Sequence, residues 1–470
     1  MQKPTECYNP TPCILAQYKR ADGELVELSN GFSIPEGKGT LGVAIIGEGL
    51  GHEEAIDGLP FRPRAQAGSQ LEDCFRRLGV NREQFFIWNI LGCQPPGNLL
   101  DGMWYEDSAI STCMARHFTR VLDSFRTPHT KVLLAMGNVA TRVLTGLSGL
   151  ASEKQSVSNV RGYVFPSKWG WVVPTYHPSY IRRGNPHLIP AMLADMRKAI
   201  AIAQGRYTDF EGHSSYNGVN YQTTPSVIDA WDFYYRAQSN SKLMIGYDIE
   251  TPNSKLAEED EREDEEYLAE PIESVQFSLA AREGIFLPYQ GEYIEIAKKI
   301  MELLNRKLAF NNWFFDDPIM RKAGFNFGGG LSIDLMWMFK HWHPRLERGL
   351  QKVASLFDFP FPWKHLYGSN MGVYGCADVD SLHWILPRLV AAMKGIKNEQ
   401  GVSVWQGYIE QIYQVHPIMT KASGRGFPVS SSRHGELREK LKEQLLVLDR
   451  ELQELVPDEL KNISPKRKVK

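Results

Sequence analysis

The chain has 470 residues, 43% of them hydrophobic, with 53 Lys and Arg against 55 Asp and Glu and a formal net charge of −2. That length accommodates about two to three domains, each with its own core. The near-zero charge excludes a globally basic coat, so any polyanion must be held by local basic patches or by metal ions. No apolar run is long enough to span a bilayer, and the first residues are mostly polar, with Cys7, Pro10 and Pro12 among them. Neither a membrane segment nor a signal peptide is expected, and the expected compartment is the cytoplasm.

In chain order, the first part alternates strands and helices. Apolar strand candidates run over residues 41–46, 85–90, 131–135 and 171–174, and helical patterns over 69–78, 110–125, 138–144 and 190–203. This order predicts an α/β fold with a parallel sheet covered on both faces. In such sheets the ligand crevice lies beyond the carboxyl ends of the strands. Residues 47–54, 89–98, Gly137 and His177 stand at or after those ends, so one cleft would collect them.

Four of the six cysteines, Cys7, Cys13, Cys93 and Cys113, fall in this part. Four thiolates are what a 4Fe–4S cluster requires; zinc on four Cys and four unconnected thiols are the alternatives. Cys74, on an amphipathic helix, and Cys376 are expected to pack in cores.

The segments GEGLGHEE (47–54), GLPF (58–61), FFIWNILGCQPPGN (85–98), VLLAMG (132–137) and PTYHPSYIRRG (174–184) occur in that order. Together they make residues 1–205 resemble uracil-DNA glycosylases of family 4. That resemblance implies an α/β/α domain that extrudes a base, with Phe61 as the stacking face and Asn89 reading the uracil edge with one donor and one acceptor. It further implies that His177 hydrogen-bonds the uracil oxygen that gathers charge, and that Glu48 places water or stabilises an oxocarbenium-like sugar. A 4Fe–4S cluster on Cys7, Cys13, Cys93 and Cys113 is implied as well. The sequence departs from the family in two places. GEAPG is replaced by Gly47-Glu48-Gly49-Leu50-Gly51, and the first cysteine pair is spaced Cys-x5-Cys rather than Cys-x2-Cys. Arg182 and Arg183 are phosphate-contact candidates. A reading of a different class makes this half a non-catalytic module that binds DNA or a partner.

Residues 206–224 are polar, rich in Gly, Ser and Tyr and without period, as a linker should be. A helix over 225–236 then leads into the apolar run 243–247, which ends at Asp248-Ile249-Glu250. Period two along a strand puts both carboxylates on one face. Asp316 closes a second motif, Asn312-Trp313-Phe314-Phe315-Asp316, and Tyr374 and Asp378 are four apart, which a helix stacks on one face. Clustered carboxylates raise one another's pKa unless cations offset them, and hard cations choose such ligands. Two Mg²⁺ or Mn²⁺ ions ~3.5–4 Å apart would hold the attacking water and the leaving oxygen of a phosphodiester. Tyr374, with an ordinary pKa of ~10, is suited to orient that water rather than to deprotonate it. The acidic run 258–266 reads as a solvated hairpin insertion.

GYDIET (246–251), FNNWFFDDPIM (310–320) and YGCADVDSL (374–382) make residues 222–395 resemble the DEDDy 3′-5′ exonuclease domain of family A DNA polymerases. The resemblance implies an RNase H-like α/β domain with Asp248, Glu250, Asp316 and Asp378 as metal ligands. Tyr374 would position the nucleophile, and Thr251 and Asn312 would contact the substrate strand. Phe310-Asn311 departs from the small residue and His or Gln usual before that Asn. Residues 417–452 resemble the exit from exonuclease to thumb in those polymerases, and PKRKVK at the end reads as a solvated tail.

The expected organisation is therefore a glycosylase-like domain (1–205), a linker (206–224), an exonuclease (225–398) and a helical thumb-like stub (399–470), similar to the front of a bacteriophage-type family A polymerase. No palm or fingers sequence follows, so polymerisation would need a separate chain or a missing portion. Expected partners are DNA with single-stranded 3′ ends and either that polymerase portion or replication proteins, with no membrane, in the host cytoplasm if viral. A ribonuclease D-like RNA trimmer is the alternative that shares the same carboxylates.

Overall fold

The computed structural model describes residues 2–147, 156–207, 218–252, 271–425 and 430–456. They fall into two compact units, Met1–Tyr408 and Ile409–Lys470. The acidic run 258–266, most of the 206–224 linker and the terminal PKRKVK lie outside the described residues.

Near the start of the first unit, β1 (Tyr18–Lys19) and β2 (Leu25–Val26) form a small hairpin. A five-stranded sheet follows, built from β3 (Val43–Gly47), β4 (Phe86–Asn89), β5 (Val132–Met136), β6 (Phe165–Ser167) and β7 (Gly170–Thr175) in the order β4-β3-β5-β7-β6. All neighbours are parallel except the edge strand β6, which short-range reading had not singled out. Every residue of β3, β4 and β5 is buried, because helices cover both faces and leave no solvent side on which polar residues would alternate. The predicted helix over 110–125 starts earlier, at Glu106, ends at Ser124, and contains a π turn, Met114–Phe118, between Glu106–Cys113 and Thr119–Ser124. Gly47 pairs with Asn89, and Met136 with Thr175. The strand ends are thus level, and the loops leaving them meet at one rim.

The second sheet has six strands in the order β13-β12-β9-β10-β11-β8. They are β8 (Asn220–Gln222), β9 (Ile245–Glu250), β10 (Ser274–Ser278), β11 (Glu283–Pro288), β12 (Lys307–Ala309) and β13 (Ile333–Asp334). β10 is antiparallel to both neighbours, while β12 is parallel to β9 and to β13. The predicted helix before β9 is Val227–Ser239, started by a capping box of Ser226 and Asp229.

Helix Met371–Gly395 lies directly on this sheet, and glycine permits the approach. A Cβ at Gly284 would come within 2.8 Å of Cys376 Cβ, one at Gly375 within 2.5 Å of Gln276 Cγ, and one at Gly246 within 3.1 Å of His383 Nε2 and 3.3 Å of the Val379 carbonyl. The close seat brings the first turns of the helix over the carboxyl end of β9. Cys74 and Cys376 are both buried, as expected of packing residues.

In the second unit, helix His416–Arg425 follows the turn Ile409–Tyr413, and helix Ser431–Leu455 begins at Ser430, whose side chain accepts from the Arg433 N–H. Among the described residues, no helix is long and apolar enough to cross a membrane.

Candidate active sites and a thiol cluster

At the rim of the first sheet lies a cleft of about 500 Å³. Glu48 and Gly49 from the end of β3, Pro95, Asn98 and Asp101 after β4, Gly137 and Asn138 after β5, and His177 and Arg183 after β7 line it. Phe61 turns its ring to His177, with centroids 5.6 Å apart. Gly47 has no room for a side chain, because a Cβ there would sit 2.4 Å from Asn89 Oδ1 and 2.6 Å from Phe61 Cζ. The structure therefore brings Glu48, Phe61, Asn89 and His177 together. Asp101 and Ser179 are cleft residues that the sequence reading missed.

Burial governs the titration of the two ionisable groups at this rim. Burial, and then the nearby Asp101, push the Glu48 carboxyl up to about 7. Burial, and then Arg183, push His177 down to about 4, so its ring is neutral. The backbone N–H of Ser179 donates to His177 Nδ1 at 3.2 Å, which assigns the ring proton to Nε2. Asn89 is buried, and among the described residues its Nδ2 has no hydrogen-bond partner.

Behind the same half, Cys7, Cys13, Cys93 and Cys113 line one small cavity with Lys3, Phe32 and His117. Cys7, Cys93 and Cys113 are buried, and Cys13 is half-buried. Burial and then the neighbouring sulfurs push Cys7 up to about 12; burial first, partly offset by a hydrogen bond from Ser29, pushes Cys93 up to about 11. Such thiols stay protonated unless a cationic centre takes them as ligands. Among the described residues, only Asp248, Glu250 and Asp378 bring three potential ligand atoms within 4.8 Å of one another. Four thiols around one cavity are a donor set that suits a 4Fe–4S cluster or a zinc ion.

The third site stands at the carboxyl end of β9. Asp248, Glu250 and Asp378 form the carboxylate group just described. Burial first, and then Asp378, push Asp248 up to about 8, and Glu250 and Asp316 are raised well above the carboxylate range by burial and by Asp248. Asp316, at the start of helix Asp316–Lys322, is outside the triple, and its Oδ1 accepts from the Ile249 N–H at 3.3 Å. Asp378 Oδ1 accepts from Trp363 Nε1 at 3.0 Å and lies 2.7 Å from Lys364 Nζ. Its Oδ2 is buried and, among the described residues, unpartnered. An orphaned oxygen inside a cluster of like charge suits a cation.

Lys364 Nζ also donates to the Tyr374 hydroxyl at 2.7 Å, and burial keeps Tyr374 protonated at any ordinary pH. Thr251 is buried beside Glu250. Asn312 is turned into the fold, where its Nδ2 donates to Tyr247 Oη at 2.8 Å and to Asp317 Oδ1 at 3.0 Å. Asp334 ties down the loop before Asp316 by accepting from the N–H groups of Asn311 and Trp313. Trp363 and Lys364 carried no signal in the sequence, because they stand in no periodic relation to Asp378.

Residues 34–201 match the family described as the uracil DNA glycosylase superfamily. The type-4 uracil-DNA glycosylase of Thermotoga maritima is 34% identical over 176 residues, which span 36% of this chain and 83% of the relative. The enzyme of that name from Saccharolobus solfataricus is 32% identical over 168 residues, 35% of this chain and 72% of the relative. Its namesake from Sulfurisphaera tokodaii is 30% identical over 173 residues, 35% and 73%. The matched stretch includes the whole parallel sheet and the loops that build the cleft at its rim, and through this N-terminal region the chain belongs to the type-4 uracil-DNA glycosylase family.

Proposed function

We propose that the chain joins two activities on DNA: uracil excision in residues 1–205, and two-metal 3′-5′ exonuclease hydrolysis of the DEDDy type in residues 225–398. On this reading residues 399–470 are a thumb-like stub, and the whole is the front of a bacteriophage-type family A polymerase acting on single-stranded 3′ ends.

The observation that carries the first activity is the buried, unpartnered Nδ2 of Asn89 beside Phe61 and His177. An extruded uracil stacks on Phe61 and satisfies the Asn89 amide with its own edge. As the glycosidic bond breaks, its electron pair passes to the ring, and the Nε2–H of neutral His177 donates to the oxygen that gathers charge. Ionised Glu48 orients the attacking water and opposes the positive sugar. Arg183, also in the cleft, faces a strand phosphate.

For the second activity it is the unpartnered Asp378 Oδ2 within the Asp248, Glu250 and Asp378 group. When bound there, with Asp316 as a further ligand, Mg²⁺ or Mn²⁺ supplies Lewis-acid activation of water and neutralises the leaving oxygen. Tyr374 accepts from Lys364, keeps its own proton, and donates it in a hydrogen bond that orients the water. Cys7, Cys13, Cys93 and Cys113 would hold a 4Fe–4S cluster, which supplies a cross-link between the N-terminal loop, the loop after β4 and helix Glu106–Cys113.

One gel assay tests both activities, using a 5′-labelled DNA strand with a single uracil, with Mg²⁺ or with EDTA, followed by alkali. The expected products are a 3′-end ladder lost in EDTA and in Asp248→Ala, and an alkali-dependent cut at uracil that survives EDTA and is lost in His177→Ala. A folded, metal-loaded protein that gives no ladder sinks the exonuclease. Trimming confined to an RNA strand makes the nuclease a ribonuclease D-like trimmer, and DNA binding without a uracil cut makes the first half a binding module.

A further inference from the structure

Helix Leu350–Leu356 lies between the two sheets of the first unit, and its Gln351 is buried. The side-chain Oε1 accepts from the backbone N–H groups of Trp363 at 2.6 Å and Lys364 at 2.7 Å. The Nε2 donates to the Asn159 carbonyl at 2.6 Å, and the Gln351 carbonyl accepts from the Tyr163 hydroxyl at 2.7 Å. One residue is therefore bonded to the glycosylase-family half on one side and to the segment before the Tyr374 helix on the other. That segment matters because Trp363 and Lys364 both bond to Asp378 Oδ1, and Lys364 bonds to Tyr374 as well.

The joint is built to be stiff. Lys198 donates to the carbonyls of Gly162 at 2.7 Å and Ser355 at 2.8 Å, and Arg161 donates to Ser355 Oγ at 3.2 Å while paired with buried Asp195. Removing the Gln351 oxygen would strand two N–H groups, one of them on fully buried Trp363, and such groups find other partners only by moving. A metal site tolerates displacements of only a few tenths of an ångström, so groups that orient ligands govern affinity.

We propose that Gln351 is a positioning residue of the carboxylate site, and that the N-terminal half braces that site through Asn159 and Tyr163. The inference rests on the two-metal exonuclease reading above. It makes the glycosylase-family half a working part of the nuclease site as well as a domain with chemistry of its own.

The test uses the full chain and Mn²⁺ as probe, with binding followed by the electron paramagnetic resonance of free Mn²⁺ and 3′-end trimming measured across Mn²⁺ concentration. Gln351→Leu is expected to raise the Mn²⁺ needed for half-maximal binding and trimming roughly 10-fold or more, as for other groups that orient ligands, with trimming largely restored at saturating metal. Gln351→Glu, which keeps the acceptor for Trp363 and Lys364 but loses the donor to Asn159, should give a shift between those of the parent and Gln351→Leu. Tyr163→Phe, which deletes a single hydroxyl at the joint, should shift the same midpoint by about 3-fold, in line with one net hydrogen bond, and it decides the matter if Gln351→Leu does not fold. A folded Gln351→Leu, or failing that Tyr163→Phe, with the parent's Mn²⁺ dependence overturns the inference alone. A parent without Mn²⁺ binding that depends on Asp248 overturns the exonuclease reading and the inference with it.

Discussion

Phe61 and His177 face each other with ring centroids 5.6 Å apart at an interplanar angle of 35°. Phe61 follows helix Glu54–Asp57 and has a positive φ of 50°, whereas His177 sits at the end of β7. The fold alone makes them neighbours, and the floor of their pocket is Gly47, where a side chain would strike both Phe61 and Asn89.

Gly47→Ala should therefore damage the pocket rather than merely fill space. Its Cβ would meet Asn89 Oδ1 at 2.4 Å, and neither that buried amide nor the Phe61 ring can retreat without losing packing. A loss of about 1–3 kcal/mol in stability is expected from overpacking, together with at least a 10-fold fall in uracil excision. Urea denaturation and the alkali-cleavage assay on the same preparation check both.

Glu48 should set the neutral-pH limb of uracil excision. Its folded pKa is raised to about 7, and in the role proposed above it acts ionised, so the rate should climb through pH 7 and level above it. In Glu48→Gln the rate should be low and lack that limb. The sign of the linkage is that of a raised carboxyl: its contribution to stability is fully present below the ordinary carboxylate pKa and is lost as pH rises through about 7. Glu48→Gln should accordingly raise Tm at pH 8 by roughly 2–5 °C and leave it nearly unchanged at pH 4.5. A pH-independent Tm difference would contradict the assignment.

The carboxylate group should destabilise the protein without cations and stabilise it with them. Asp248 is raised to about 8 by burial and by Asp378, so its favourable term is present at low pH and disappears as pH rises through about 8. In EDTA at pH 8, Asp248→Asn should melt higher than the parent by several degrees, while Mn²⁺ should raise the parent's Tm and leave the variant's almost still. Trimming of 3′ ends by the variant should fall by about 10³-fold or more, the scale of losing a group that stabilises developing charge. Scanning calorimetry with and without Mn²⁺ reads the first two effects directly.

Replacing a buried thiol should disclose what the cysteines hold. Cys113 accepts from the Gly92 N–H at 3.2 Å at the wall of the cavity shared with Cys7, Cys13 and Cys93. Cys113→Ser should lose bound iron and the visible sulfur-to-iron absorption, and should lower Tm markedly, because ligand binding is folding free energy for such a site. Metal analysis of the parent that finds zinc, or no metal in protein prepared without oxygen, would remove the cluster from this account.

Much of the architecture was legible because it rests on short-range patterns. The apolar runs of β3 and β5, and of β4 up to Asn89, announced a sheet covered on both sides, and the loops after them announced the cleft. Asp248 and Glu250 share a face by strand period, and Tyr374 and Asp378 by helix period, so each pair was readable from spacing. Strand β9 runs from Ile245 through Glu250, and β10 pairs with Asp248 and Glu250, so the carboxylates are part of the ladder as the strand period implies.

What only the tertiary structure decided is which distant groups hold those residues. Asp378 depends on Trp363 and Lys364, they depend on Gln351, and Gln351 is bonded to Asn159 and Tyr163 in the other half. Asp316, grouped with the other carboxylates by motif, bonds instead to the Ile249 N–H, while Asp248, Glu250 and Asp378 close on one another. Periodicity reports which face of one element a side chain occupies and nothing about the partner across a fold. The sequence alone determined the central strands of the first sheet, the order of the motifs and the carboxylate and thiol groups on offer. The hydrogen bonds that set their geometry came only when the chain brought remote segments within 3 Å or so, a distance at which direction as well as proximity counts.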